Sequence, residues 1–247
     1  MSAPAPAPTR ILAQARFETL TLLRNGEQLL VSIILPAMAL VGLTLSPYPA
    51  LGSHPRIDVV APGVLALAVA STAFTGQAIS TAFDRRYGVL RMYGVSPLGR
   101  GGLLLGKAIA VLCVLLVQVL VLSAIALALG WRPALTGLAP GLVGLLLGVL
   151  AFVGLALLLA GTLRAEAVLA LANLIWVVLL GLGLLIPVPV LPAAVRGLAG
   201  ALPSGALGEA MRSALLDGAW PWTAWLVLLA WAALTWGLAL RLFRWAP

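Results

Sequence analysis

Charge is scarce in this chain. Only 9% of its 247 residues are Asp, Glu, Lys or Arg, while 62% are hydrophobic; a soluble globular domain carries about a quarter charged. A soluble fold is therefore excluded. Cysteine and histidine are scarcer still, with one of each, Cys113 and His54. A lone cysteine rules out an internal disulfide and a thiolate metal site. A lone histidine rules out two-histidine haem ligation and a multi-histidine metal centre within the chain. Carboxylates are missing from the middle of every long apolar run. Asp84 and Glu166 fall at run ends on one side, Asp58 on the other. Intramembrane carboxylates are the usual proton or Na⁺ handles of pumps and coupled transporters, so no internal energy source is evident. An intramembrane hydrolase would need a nucleophile–base pair or metal ligands, and the runs hold neither.

What the chain has in quantity is uninterrupted apolar sequence. Runs of about twenty such residues cross a bilayer core as helices. Barrel strands would alternate apolar and polar residues over about ten positions, and the Leu, Ala, Val and Gly here do not. An all-α polytopic membrane protein follows, with six transmembrane helices expected at 29–47, 61–82, 103–129, 137–161, 166–186 and 222–242. Pro36 inside the first is tolerable, because neighbouring helices can satisfy the freed backbone groups.

The net charge of +8 lies mostly beside these spans, which makes it a topology signal and not a nucleic-acid footprint. With both termini cytoplasmic, eleven Lys/Arg fall inside and four outside (Arg56, Arg132, Arg196 and Arg212). The expected location is the inner (plasma) membrane, multi-pass. Trp131, Trp220 and Trp222 then sit near the outer interface and Trp245 near the inner one, as anchors. A third of the positive charge falls on the segment 83–100 and on Lys107 just after it. That segment is expected to be an exposed cytoplasmic loop, long enough to touch a soluble partner.

The ends and breaks are also legible. Residues 1–9 form an Ala/Pro tail expected to be disordered, and the first long apolar run, from Leu29, lacks a cleavage pattern and should stay in the membrane. Residues 10–25 place Ile11, Leu12, Ala15, Leu22 and Leu23 on one helical face, with Gln14, Glu18, Thr21 and Arg24 opposite and Phe17 on the polar side. This is an amphipathic interfacial helix, with Asn25-Gly26 as a bend into the first span. Between 187 and 221, Pro187, Pro189, Pro192 and Pro203 leave two short helices, 192–201 and 204–217, with Ser204 as the expected N-cap. The first is too short to span, so a re-entrant or interfacial piece is expected. Glu209 and Arg212, at i and i+3, read as a solubilising surface pair.

Several motifs have plain explanations. Gly101-Gly102-Leu103-Leu104-Leu105-Gly106-Lys107-Ala108 approaches a phosphate-binding loop but lacks the Ser/Thr after the lysine and a preceding strand; the chain is not expected to bind ATP itself. Gly137, Gly141, Gly144 and Gly148 form a small-residue stripe suited to close helix packing within the chain. Ser71, Thr72, Thr75, Gln77 and Ser80 make the second span polar, and Gln118 and Asn173 add amides to the third and fifth. Each should face protein or a hydrated cavity. Interhelical hydrogen bonding is the first reading, lining a translocation path the second.

Three stretches together resemble a known family. They are Leu23-Arg24-Asn25-Gly26-Glu27-Gln28-Leu29 leading to Pro36; Phe83-Asp84-Arg85-Arg86-Tyr87-Gly88-Val89-Leu90-Arg91 followed by Val95-Ser96-Pro97-Leu98 and Gly106-Lys107; and Leu202-Pro203-Ser204 through Ala210-Met211-Arg212. The chain after residue 10 resembles the ABC-2 type permeases, the membrane subunits of bacterial ABC exporters, within the daunorubicin-resistance-like multidrug group. The resemblance implies an N-terminal elbow helix at 10–25 and a coupling helix at 84–98 that docks on a separate ABC ATPase, with Asp84, Arg85, Arg86, Tyr87, Leu90 and Arg91 as the coupling residues. It also implies an extracellular re-entrant pair at 190–217. It further implies a single permease domain over 10–247, a second permease copy (homodimer or close homologue), no cofactor in this chain, and ATP and Mg²⁺ on the partner. The expected function is non-catalytic: efflux of a hydrophobic or amphipathic drug or lipid-like compound, among membrane lipids. Ser71, Thr75, Gln77, Ser80, Gln118 and Asn173 are the candidate path residues. The alternatives are a stand-alone secondary transporter or channel, an intramembrane enzyme or assembly factor, or a permease for polysaccharide or cytochrome-maturation cargo.

Overall fold

The structure, a computed structural model, describes residues 5–24, 26–94 and 96–244, with side chains described for all of these except 26–31, 93, 94 and 100. The bend expected at Asn25, the Trp245 anchor, the first four residues of the Ala/Pro tail and the Arg100 side chain lie outside them. Among the described residues the regular structure is all helical, without strands.

Helix α1 covers Ala7–Arg24 and α2 covers Gly26–Leu45. Helix α3 runs without a break from Arg56 to Arg86. It comprises α-helical Arg56–Val69, a π-helical stretch Ala70–Gly76 and α-helical Gln77–Arg86. A short α4 (Val89–Gly94) precedes α5 (Gly99–Ala128) and α6 (Leu138–Thr162). Helix α7 spans Ala165–Leu184, the short α8 (Ala193–Ala201) and α9 (Pro203–Leu215) follow, and α10 covers Trp222–Leu242. Five of these (α3, α5, α6, α7 and α10) are long and apolar enough to cross a membrane; α2 contributes a shorter apolar stretch, Ser32–Leu45.

Helix α3 is the centre of the bundle. Val64, Ala66, Ala68, Val69, Ala70, Ala73, Phe74, Ala78 and Ala82 are all fully enclosed. In lipid, apolar side chains gain nothing by leaving one oily medium for another, so helices associate where small residues let backbones approach. The alanines of α3 allow that on every face. The leucines of α5, α6, α7 and α10, among them Leu116, Leu120, Leu142, Leu174 and Leu226, stay exposed on the bundle's outside.

The glycine stripe of α6 is occupied within the chain. Helix α9 lies along it, so that a Cβ at Gly148 would come 2.7 Å from Leu207 Cδ1, one at Gly144 3.4 Å from Ala210 Cβ, and one at Gly141 3.1 Å from Leu215 Cδ2. Further along α6, Gly154 and Gly161 receive Trp236 and Phe243 from the last helix and its end.

Two expectations for 187–221 are corrected. Ser204 is not the N-cap of α9; Leu202 holds that place with Pro203 in the first turn, and Ser204 Oγ donates to the Leu182 carbonyl at 2.7 Å. Nor is Arg212 a surface residue. It is 4% exposed and donates to the carbonyls of Gly183 (2.6 Å) and Leu184 (3.0 Å), while Glu209 Oε2 stands 3.7 Å off. The cause lies in α7, whose helix breaks at Gly183 (φ +101°) and leaves carbonyls without intrahelical partners. A guanidinium with several donors satisfies two at once. Arg212→Leu should therefore cost about 2 kcal/mol, from two charge-assisted hydrogen bonds lost in a setting where such bonds are worth less than in isolation. Thermal unfolding in detergent checks it, with Glu209→Gln, which removes only the distant pair, changing little.

Trp131 is also misplaced by the anchor rule. It is buried, folded back over the end of α5 with its backbone N–H donating to Ala126 O at 2.9 Å. Trp220 and Trp222 are exposed, stacked on each other at 5.7 Å and set edge-on to Trp225.

Candidate functional site

The basic segment after α3 is not an open loop. Helix α3 continues to Arg86, α4 takes up Val89–Gly94, and α5 begins at Gly99, so the segment is a helical hairpin with two tight breaks. Each break has a glycine with positive φ, Gly88 at +75° and Gly99 at +69°, where a side chain would be strained. The Gly88 N–H donates to Arg85 O (3.1 Å), and Gly88 O accepts from the N–H groups of Arg91 and Met92 (3.1 and 3.2 Å). One residue thus closes α3 and opens α4.

The hairpin divides the six expected coupling residues into two groups. Arg86, Tyr87 and Arg91 are exposed, together with Met92, which sequence reasoning omitted; Tyr87 and Met92 are 71% and 70% exposed. The Arg86 guanidinium lies 5.8 Å from the Tyr87 ring centroid, and Phe83 stacks on Tyr87 at 6.0 Å. Arg86 also pairs with Glu166 on α7. Asp84, Arg85 and Leu90 instead serve the interior. Leu90 is buried, and Arg85 turns back to donate to the Leu163 carbonyl between α6 and α7. Asp84 binds Lys107.

Lys107 is the unanticipated member of this site. Its ammonium, on a side chain 6% exposed, holds Asp84 Oδ2 at 2.7 Å and Glu18 Oε1 at 3.2 Å. It ties α1, α3 and α5 at one point. Gly106 beside it lets α1 close in, since a Cβ there would stand 2.8 Å from Gln14 Cγ. At the other end of α1, Arg10 donates to the Pro97 carbonyl of the hairpin. The segment that approached a phosphate-binding loop is thus one continuous helix, and its lysine is taken by two carboxylates. A signal was available: a lysine just inside an apolar run needs a carboxylate, and Glu18 is one of only seven acids in the chain.

The two faces of α1 are accordingly less cleanly divided than expected, with Thr21 and Arg24 of the polar face exposed but Gln14 enclosed. Gln14 and Ala15 are buried and Glu18 is half-buried, whereas Leu12, Phe17 and Leu20 point away from the protein. Glu18 follows Lys107, with Gln14 donating to it at 3.0 Å.

In mid-bundle two of the six candidate path residues, Ser71 and Gln118, act as staples between helices. Thr72 donates to Gln118 Oε1 at 2.9 Å, and Gln118, fully enclosed, donates to Ser32 O at 3.3 Å, linking α3, α5 and α2. Trp176 on α7 donates to Ser71 Oγ at 2.9 Å. Ser80 Oγ reaches its own helix at Gln77 O, 3.4 Å away. Gln77 is buried, and the Thr75 hydroxyl is enclosed without a hydrogen-bond partner. Asn173 makes no interhelical hydrogen bond among the described residues: it is exposed on α7, donating to Leu169 O at 2.9 Å. Its helix turns Val168, Ala172 and Leu179 inward, which leaves Asn173 on the outer face. Gln118→Leu should cost about 1 kcal/mol or less, the usual worth of a polar contact between membrane helices, with transport retained. Transport lost at full stability would instead mark a path residue.

Charge therefore collects at the two ends of the bundle. At one end lie Glu18, Asp84, Lys107, Arg86 and Glu166; at the other the backbone N–H of Arg132 meets Asp58 Oδ1 at 3.3 Å and Arg56 Nε meets Leu43 O at 2.9 Å. The family model for the ABC-2 type transporter matches residues 9–216. The chain belongs to the ABC-2 type transporter family. The matched stretch takes in α1 to α9, hence the hairpin, the lysine knot and the Arg212 cap. No curated protein matches the chain. As an ABC-2 family member it is an integral membrane protein and a transport component, generally non-catalytic, of a family that normally works with an ABC ATPase.

Proposed function

We propose that this chain is the permease subunit of an ATP-driven exporter, inserted in the inner membrane with both termini cytoplasmic and with α2 as the first of six spans. Helix α1 is the elbow, α8 and α9 are the outer re-entrant pair, and the α3–α4–α5 hairpin docks on a separate ATPase that carries ATP and Mg²⁺. Two permease copies enclose the path. The observation that carries this reading is the exposed group Arg86, Tyr87, Arg91 and Met92, displayed at the tip of two long helices. An aromatic, a thioether and guanidinium groups are residue types enriched at protein interfaces, and a push on this tip travels along α3 to the bundle centre.

Closure of the ATPase tilts α3 and α5 through the hairpin and opens an outward route. Apolar walls with scattered hydroxyls and amides favour a hydrophobic or amphipathic cargo, drug or lipid-like, over a highly charged one. The test is transport by the reconstituted permease with its ATPase. Flux of a fluorescent amphiphile should vanish when the ATPase's phosphate-loop lysine is replaced, and should survive collapse of the proton gradient. Flux from the permease alone would assign it to the secondary transporters.

A further inference from the structure

Three arginines crowd the turn between α6 and α7, and among the described residues none of them forms an ion pair. Arg85 is 7% exposed; its Nη2 donates to Leu163 O, and its Nη1 is sealed from solvent without a hydrogen-bond partner. Arg244 lies near enough for its charge to act on Arg85, and its backbone N–H donates to Gly161 O at 3.0 Å. Arg164 follows Leu163 and holds the N-cap position of α7 with no side-chain cap. Glu166, the acid at this turn, is engaged by Arg86.

A desolvated guanidinium beside a like charge is unfavourable unless an anion joins them. The α7 N-terminus, which lacks a capping side chain, adds backbone N–H donors and the positive end of a helix dipole. Fork-shaped guanidinium groups match phosphate oxygens. Just before Arg244 in the chain, Leu240 and Leu242 on the last turn of α10 are exposed, giving an acyl chain an apolar surface next to that charge. We infer that this turn binds the phosphate of an anionic phospholipid from the leaflet at that end of the bundle. Arg85 is thereby reassigned from ATPase coupling to lipid recognition, since its guanidinium is turned to the α6–α7 turn and away from the exposed hairpin face. The inference rests on the chain's membrane location and not on its coupling to an ATPase, so either can fail alone.

Native mass spectrometry of the full-length permease in detergent, titrated with phosphatidylglycerol or phosphatidylcholine, tests it. Phosphatidylglycerol should bind in preference. Arg244→Gln should weaken it roughly fivefold and Arg85→Gln with Arg244→Gln roughly twenty-five-fold, each arginine near an anionic surface counting about equally. Arg132→Gln, at the opposite end, should change nothing. Because the Arg244 side chain is exposed, its variant keeps the fold; undiminished preference in Arg244→Gln overturns the inference even if the double variant unfolds. Inorganic phosphate binding as tightly as the lipid, or loss of the lipid preference on adding the ATPase, would also overturn it, marking a free-anion site or a protein contact.

Discussion

Arg91→Glu with Met92→Asp should abolish association with the ATPase while leaving the permease folded and inserted. Both side chains are exposed on α4 and neither takes part in a described contact with the bundle, so their loss removes surface only. Two interface residues of these types, one reversed in charge, cost at least about thirtyfold in affinity when they lie at the centre of a contact. Co-purification with the ATPase and transport are the readouts, with membrane fractionation as the control. The interior half of the same segment should behave oppositely. Leu90→Asp puts a charge where the side chain is fully enclosed, and should lower stability before it affects docking. If the exposed pair can be exchanged without losing the ATPase, this hairpin is not the handle.

Lys107→Met should destabilise the protein by about 3 kcal/mol, and most of that should return in the triple variant Glu18→Gln, Asp84→Asn, Lys107→Met. Removing only the ammonium leaves two partly buried carboxylates facing each other without a cation, the costly situation; neutralising all three groups removes attraction and desolvation together and is often nearly neutral. Glu18 and Asp84 keep some solvent contact, with side chains 20% and 30% exposed, which holds the figure to the lower end for buried ion pairs. Thermal unfolding in detergent measures both variants. Hydrogen exchange should show α1 loosened in the single variant, because Lys107 is its ionic tie to α5. A triple variant as unstable as the single one would mean that the knot is not electrostatic.

Much of this protein is legible in its sequence. Helix α10 begins at Trp222 and ends at Leu242 as the apolar run indicates, and the short pair expected at 192–201 and 204–217 is found as Ala193–Ala201 and Pro203–Leu215. Proline and glycine punctuation is local chemistry, so it can be read locally. The glycine stripe of α6 was legible as a packing face, though its occupant, α9, was not. The errors share one cause. Arg212, Gln14 and Glu18 were each assigned by the pattern of their own segment, yet their surroundings come from other helices. Arg212 is buried because α7 breaks at Gly183, and Gln14 and Glu18 turn inward because Lys107 stands opposite.

Composition alone settled that this chain belongs in a bilayer, since so few charges cannot solubilise so much apolar surface, and it placed the cationic segment at the ends of two long helices. Only the tertiary structure decided which of those cations meet a partner and which are held inside. Membrane helices are alike in hydrophobicity, so their neighbours are chosen by small residues and by isolated polar groups that must find one another across the bundle. Those pairings join residues as far apart in sequence as Glu18 and Lys107 or Arg85 and Leu163, and no periodicity within one helix encodes them.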